Sequence, residues 1–361
     1  MTDGSHDFIG TKAVSDQHRF DLTSLQRWLS ANVSGFQGPL TVSQFKGGQS
    51  NPTYKLDTPS SSYVMRSKPG PVARLLPSAH AIEREYRVMH ALAGTDVPVA
   101  PMHALCADES VIGRAFYIMA FVDGRVLWDQ SLPGMDKSER TAIYDEMNRV
   151  IAALHRVDPA AVGLGDYGRP GNYFERQIAR WSKQYQASAT EPIEAMDQLI
   201  AWLPQHIPGS ARDDAQVSIV HGDFRLDNLI FHPTEPRVVA VLDWELSTLG
   251  HPLADFSYHC MAWHIPYAMG RGIGGLDPIA LGIPTEAAYM QRYADRMQRE
   301  VHAMRSDWNF YLAYNLFRIA AILQGIAKRA LDGTAASAQA VKAGAGARPL
   351  GELGWQYAKS A

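Results

Sequence analysis

Cysteine is nearly absent from this chain: Cys106 and Cys260 are the only two in 361 residues, and neither sits in a CxxC or Cys/His ligand spacing. That argues against both a disulfide framework and a structural zinc site, so both cysteines are read as small buried hydrophobes in a reducing compartment. The first twenty residues have no charged segment leading into an apolar core and no run of spanning length, so neither secretion nor membrane insertion is expected and a cytoplasmic home is. A strong charge of one sign is also missing. With a net charge of -3 and a pI near 6.5 there is no basic field for a phosphate backbone, and a nucleic-acid partner is not expected. Internal repeats are lacking, as are a GxGxxG and a Walker A sequence.

What is present is an ordinary globular composition, 46% apolar and 20% charged. Asp21 can cap a short helix with Leu22, Leu25, Trp28 and Leu29 on one face. Residues 40–68 read as three short antiparallel strands, LTVSQF, PTYKLDT and SYVMRSK, separated by polar breaks. The next segment is helical, with Ala81, Ile82, Tyr86, Met89 and Leu92 as its apolar stripe and Gly94 as a stop. Strand-like MHALCAD and AFYIMAFV follow, and the text turns helical from about Lys137 to Leu203. A hinge is therefore placed at 119–124, dividing the chain into residues 1–122 and 123–361. Three strand-length runs, SIVHGD, NLIFH and VVAVLDW, interrupt the helices before they resume from Pro252; beyond Thr334 the Ala/Gly-rich text decides nothing.

The sharpest signal is His221-Gly222-Asp223-Phe224-Arg225-Leu226-Asp227-Asn228, followed by Leu229-Ile230-Phe231 and, fifteen residues after the Asn, by Asp243 at the end of an apolar run. A carboxylate on a tight loop can accept a hydroxyl proton, while an amide oxygen and a second carboxylate at a strand end can converge on Mg²⁺, a hard ion that prefers few oxygen ligands beside substrate phosphates. A polar hairpin between core strands is the plain alternative, since Asp and Asn are common turn residues.

HGDFRLDNLIF with LDWE resembles the catalytic and metal loops of the aminoglycoside phosphotransferase and choline kinase group. The resemblance implies an α+β, two-lobed protein-kinase-like fold, with a small antiparallel-sheet nucleotide-binding N-lobe and a mostly helical C-lobe. It implies ATP and Mg²⁺ as cofactors, and a small-molecule hydroxyl acceptor as partner. Asp223 takes the place of the base, Asn228 and Asp243 those of the metal ligands, and Arg225 that of a phosphate-contacting cation; His221 braces the loop. Upstream, Gly47, Gly48, Gln49, Ser50 and Asn51 fall where a loop over the ATP phosphates is expected. Arg66 falls at the position of the third-strand cation with Glu85 as partner, Lys68 and Glu83 being close competitors. The departure is Arg for Lys, which keeps the charge but presents a planar fork. Backbone groups near Met119, Ala120 and Phe121 would meet the adenine edge. Asp255 in HPLADF is expected to cap a helix or anchor the catalytic loop.

Over most of residues 40–345 the wording is similar to one branch, the kinase-like domain at the N-terminus of acyl-CoA dehydrogenase family members ten and eleven and stand-alone bacterial relatives. That likeness implies a hydroxyacyl acceptor, such as a 4-hydroxyacyl-CoA; it does not imply dehydrogenase activity, since a flavin-dependent domain is not expected within 361 residues that the two kinase lobes fill. Residues 261–361 hold eleven Lys/Arg against seven Asp/Glu, which suits a neutral or anionic acceptor better than a polycationic one. Arg318, Asn315, Tyr314 and Trp263 are candidates to line its pocket. An antibiotic kinase and a nucleotide-binding module without turnover are the competing functions; oligomeric state is not legible.

Overall fold

The computed structural model describes residues 10–46, 51–69, 81–169, 171–212, 216–332 and 343–361. In chain order the described elements are β1 (Thr11–Lys12), α1 (Leu22–Asn32), β2 (Thr41–Phe45), β3 (Thr53–Asp57), β4 (Ser62–Ser67), α2 (Ile82–Leu92), β5 (Met102–Cys106), β6 (Phe116–Ala120), β7 (Arg125–Val126), α3 (Lys137–Arg156), α4 (Tyr173–Ser188), α5 (Glu194–Trp202) and β8 (Ser218–Val220). They continue with β9 (Leu229–Phe231), β10 (Val238–Val241), β11 (Thr248–Gly250), α6 (Pro252–Cys260), α7 (Pro278–Leu281), α8 (Glu286–Met297), α9 (Val301–Arg305), α10 (Trp308–Leu331) and α11 (Ala347–Lys359). The chain divides into two compact units, one of residues 1–128 with 227–247, the other of residues 129–226 with 248–361.

The first unit is built on a six-stranded sheet, order β1-β2-β3-β4-β6-β5, antiparallel throughout. The three strands expected over 40–68 are β2 to β4, and the two later strand-like runs are β5 and β6. Asp21 does cap α1, accepting from the Thr23 and Ser24 amides at 2.8 and 3.3 Å. Leu25 and Leu29 of α1 join Tyr54, Leu56, Met65, Phe116 and Ile118 in one apolar cluster, because alternate strand residues share a face. α2 differs from its expected stripe. It buries Ile82, Glu85, Val88, Met89 and Leu92, while Tyr86 is only half-buried and stacks on His90, and Ala81 lies just outside the helix.

The expected boundary at 122/123 also differs from the division found. Strand β7 lies beyond it yet pairs with β9, β9 pairs with β10, and the Val241 amide donates to Pro98 at 2.9 Å, so the hairpin 227–247 returns to the first unit. Gly124 permits that pairing: a Cβ there would lie 2.3 Å from the Phe231 carbonyl oxygen.

The second unit is mostly helical, with β8 and β11 as a short antiparallel pair. Its axis is α10, packed on α4, α6 and α11. α10 is long and apolar enough to cross a membrane, but 72% of its apolar stretch is buried within the protein, as in a core helix. Helix α11 (347–359) begins at the end of the Ala/Gly-rich text left open by sequence and runs on through the tail expected to be helical. Both cysteines are free and buried.

His259 on α6 is fully enclosed, with Nε2 2.7 Å from the Tyr289 hydroxyl, and burial pushes its pKa down from 6.5 to about 4 despite the nearby Asp255 charge. On acidification the unfolded chain takes up this proton first, so stability falls as pH drops from 6.5 toward 4, by about 3 kcal/mol for a shift of this size. Urea unfolding at pH 7, 5.5 and 4.5 should show that slope in the wild type and a flatter one in His259→Gln; parallel slopes would refute it.

Candidate active site

In the first unit the candidate residues meet around one buried cation. Met65 points into the apolar cluster, so its neighbour Arg66 points to the opposite face of β4, where α2 presents Glu85. Arg66 Nε lies 3.0 Å from Glu85 Oε2, and Nη2 lies 3.0 Å from Asp243 Oδ1 and 3.6 Å from Glu245 Oε2. The Arg66 and Glu85 side chains are 12% and 2% exposed. Glu85 further accepts from Asn51 Nδ2 at 2.9 Å and from the Tyr117 hydroxyl at 3.2 Å. Burial opposes the Arg66 charge, but Glu85, Tyr117, Asp243 and Glu245 together hold its pKa above the usual arginine range; burial raises that of Glu85. Lys68 pairs separately with Glu83 at a more exposed position, so the two cations and two acids of β4 and α2 sort into Arg66/Glu85 and Lys68/Glu83.

Asn51, expected in a loop over phosphates, is instead fully buried with its amide on Glu85. Gly47, Gly48, Gln49 and Ser50 lie outside the described residues. The amides near the expected adenine edge are also committed: Ala120 donates to Pro101 at 2.8 Å and Phe121 to Ser62 at 3.3 Å. Met119 is an interior strand residue paired with Val64 and Met102, and the half-buried Phe121 ring carries the Lys55 ammonium 4.9 Å from its centroid.

Asn228 and Asp243 flank the same end of the β9/β10 hairpin, where Val241 pairs with Leu229 and the Leu242 amide donates to the Asn228 carbonyl at 2.8 Å. Asp243 has φ 64 and ψ 59, a left-handed conformation that Asp tolerates but that costs on the order of 1–3 kcal/mol. Its side chain is 35% exposed, with Oδ1 on Arg66. An amide oxygen beside a carboxylate is a donor set that fits Mg²⁺, which keeps waters and phosphates in its shell. Among the described residues no group of three or more His, Cys, Asp or Glu is placed to hold a metal ion, so the pair fits a shared ion better than a caged one.

In the second unit the residues gather on the turn after β8. Asp255 of α6 is buried and accepts from the His221 amide at 2.7 Å and the Gly222 amide at 2.8 Å, with His155 Nε2 at 3.3 Å. Burial raises its pKa, but the His155 hydrogen bond and the charges and amides around it outweigh this and hold it below the usual aspartate value. Asp255 thus anchors the loop, while His251 caps α6. Gly222, at φ 82, makes the turn, and His221 braces it by accepting from the Asp223 amide at 3.2 Å.

Asp223 is 21% exposed, and its Oδ1 accepts from the Tyr258 hydroxyl at 2.5 Å with Arg225 Nε 3.7 Å away. Burial first, then the Asp223 charge, push the Tyr258 pKa up, so it stays a donor. Tyr258 was not singled out by sequence; its spacing of three from Asp255, which puts both on one helix face, was the available signal. Arg318 is buried, donates to the Gly222 carbonyl and lies 5.0 Å from the Tyr258 ring. Of the other acceptor-pocket candidates, Asn315 donates to Ala254 and Ser257, Trp263 donates to Pro284, and Tyr314 is core. The chain passes between units at Leu226/Asp227, so the motif supplies Asp223 and Arg225 to one unit and Asn228 to the other.

The profile of the phosphotransferase enzyme family (APH) matches residues 41–300. Mouse acyl-CoA dehydrogenase family member 10 is 48% identical over 323 residues, 89% of this chain and 29% of that protein. The chain spans less than half the length of such relatives. A crystal structure from Ralstonia eutropha, of a protein classed by name among the aminoglycoside phosphotransferases, is 67% identical, covers 95% of this chain and 99% of its own, and superposes with a TM-score of 0.86. The choline kinase of Cryptosporidium parvum, 14% identical over 94% of this chain and 96% of its own, has a TM-score of 0.66 and shows the shared kinase-like fold.

Proposed function

We propose that this chain, which belongs to the phosphotransferase enzyme family, transfers the γ-phosphoryl group of Mg-ATP to the hydroxyl of a hydroxyacyl compound, with a 4-hydroxyacyl-CoA as the preferred acceptor. One observation carries the reading: the Asp223 carboxylate stands partly exposed on a turn whose two preceding amides are held by buried Asp255 and whose carboxylate is oriented by Tyr258. A base so fixed suits proton transfer from a small alcohol.

Asp223 orients the acceptor hydroxyl and takes its proton as the phosphoryl group leaves ADP. Tyr258 keeps one carboxylate oxygen in place, and Arg225 offsets charge beside the base. Arg66 has no partner for Nη1 among the described residues, so that nitrogen can meet a bridging phosphate while Nε and Nη2 hold Glu85 and Asp243. Asn228 and Asp243 would hold Mg²⁺. When bound, the ion neutralises charge on the transferred and leaving phosphates.

The acyl-CoA class is supported by the 48% identity to a protein whose name carries it. The dehydrogenase activity in that name is not part of the proposal. An aminoglycoside acceptor finds less support, because two arginines, Arg225 and Arg318, lie at the Asp223 turn and a polycation calls for carboxylates. Two free, buried cysteines accord with a cytoplasmic setting.

Incubation with γ-labelled Mg-ATP and a panel of 4-hydroxyacyl-CoAs, hydroxy acids, choline and aminoglycosides should label the hydroxyacyl compounds alone. Label on an aminoglycoside would replace the acceptor class, and Mg-ATP binding with label on nothing would favour a nucleotide-binding module.

A further inference from the structure

Beside the Asp223 turn the second unit carries two arginines, Arg180 and Arg318, that make no ion pair with a carboxylate among the described residues. Trp181 of α4 is 4% exposed, and two guanidinium groups lie over its ring, Arg180 at 5.0 Å and Arg318 at 5.5 Å. Arg318 also lies 5.0 Å from the ring of Tyr258, whose hydroxyl holds Asp223, so the chain of contacts leads from Arg180 to the base. Arg318 makes one hydrogen bond, to the Gly222 carbonyl, and none of its other nitrogens is both buried and unpartnered. Arg180 is exposed and has no hydrogen bond or ion pair among the described residues. Desolvation first and then the Arg318 charge press its pKa downward, while the neighbouring Tyr314 and Tyr173 hydroxyls push the other way.

Two cations near one another on the Trp181 ring, neither in an ion pair with a carboxylate among the described residues, make a poor structural pair and a good receptor for an anion. Guanidinium groups stacked on indole and phenol faces keep their N–H edges available, and those edges match carboxylate and phosphate oxygens in pairs. We propose that Arg180 and Arg318 form an anion subsite that grips a carboxylate or phosphate of the acceptor and so selects acidic acceptors over neutral or cationic ones. The inference rests on the acceptor reading above and deepens it. For a free hydroxy acid the bound group is its own carboxylate; for a coenzyme A thioester it is a phosphate of the carrier.

The test uses Arg180→Met, which keeps a stem on Trp181 and removes the charge, with Arg180→Lys as the charge-conserving control. Three acceptors separate the sources: a 4-hydroxyacyl-CoA, the matching free 4-hydroxy acid, and its N-acetylcysteamine thioester, which has neither carboxylate nor phosphate. Arg180→Met should raise KM for an acidic acceptor about 10- to 100-fold, the equivalent of one charged hydrogen-bond pair. Its kcat should stay within about twofold, the neutral thioester should be unaffected, and Lys should restore part of the loss. A response confined to the CoA thioester assigns the subsite to phosphate, and one confined to the free acid assigns it to carboxylate. Unchanged KM for both acidic probes, or an equal rise for the neutral one, overturns the subsite. Calorimetric binding of the same probes decides it even if the wild type phosphorylates none of them. Tighter binding of an acidic probe to the wild type than to Arg180→Met would then uphold the subsite while the transfer reading falls, and equal binding would end it.

Discussion

Asp223→Asn is expected to lower kcat for phosphoryl transfer by about 10²- to 10⁴-fold, the range a positioned general base supplies, while the Kd for Mg-ATP changes by less than about threefold. The amide has the carboxylate's shape and still offers Oδ1 to the Tyr258 hydroxyl, so the contact at 2.5 Å can survive. The loop does not depend on this side chain for its conformation: Asp255 holds the His221 and Gly222 amides, and the Gly222 carbonyl is held by Arg318. What the substitution removes is a group able to take a proton, together with half of the Asp223/Arg225 charge pair at 3.7 Å. Single-turnover transfer alongside nucleotide titration separates these quantities. Equal turnover in the two proteins would end the assignment of Asp223 as base.

Arg66→Met should cost about 3–5 kcal/mol of stability in the first unit, the usual penalty for stranding a buried charge. Arg66 is the shared partner of Glu85, Asp243 and Glu245, so without it three carboxylates face each other over a few ångströms. Glu85 is the most enclosed of them, and its pKa, already raised by burial and lowered by Arg66, should climb further. A folded-state pKa above the unfolded one contributes stability at low pH that is lost as pH rises through the folded value. Arg66→Met should accordingly be less impaired near pH 5 than near pH 8. Hydrogen exchange of β3 and β4 at both pH values reads the first unit directly. Protection within about 1 kcal/mol of the wild type at pH 8 would show that the cation is dispensable. Arg66→Lys should lie between, since an ammonium cannot reach all three acids in the plane that a guanidinium spans.

The proposed catalytic loop stood out in sequence because its polar residues are contiguous. The order and spacing of His221, Asp223, Asn228 and Asp243 allow a base and two oxygen ligands to be proposed from neighbours along the chain. The strands over 40–68 and the long apolar helix near 310–331 were legible for a similar reason, since side-chain period and turn residues are local properties. Other features had no local signature. Arg66 and Lys68 lie two apart on one strand, and Glu83 and Glu85 two apart on the following helix, so composition cannot say which acid meets which base. Only the packing of α2 on the sheet buries Glu85 under Arg66 and leaves Glu83 to Lys68. The same packing turns Asn51 inward onto Glu85 and makes Val88, rather than Tyr86, a core residue.

Tertiary structure also decided where the chain divides, since a hairpin at 227–247 cannot be assigned to a sheet partner more than a hundred residues earlier from its own text. It alone placed Tyr258 on Asp223 and Arg318 against Gly222, and it chose loop anchor over helix cap for Asp255. The sequence by itself determined which groups are available for the chemistry, because side-chain identity sets what can donate, accept or ligate. The fold decided which of those groups are desolvated, paired and aimed, because those properties belong to contacts between residues far apart in the chain.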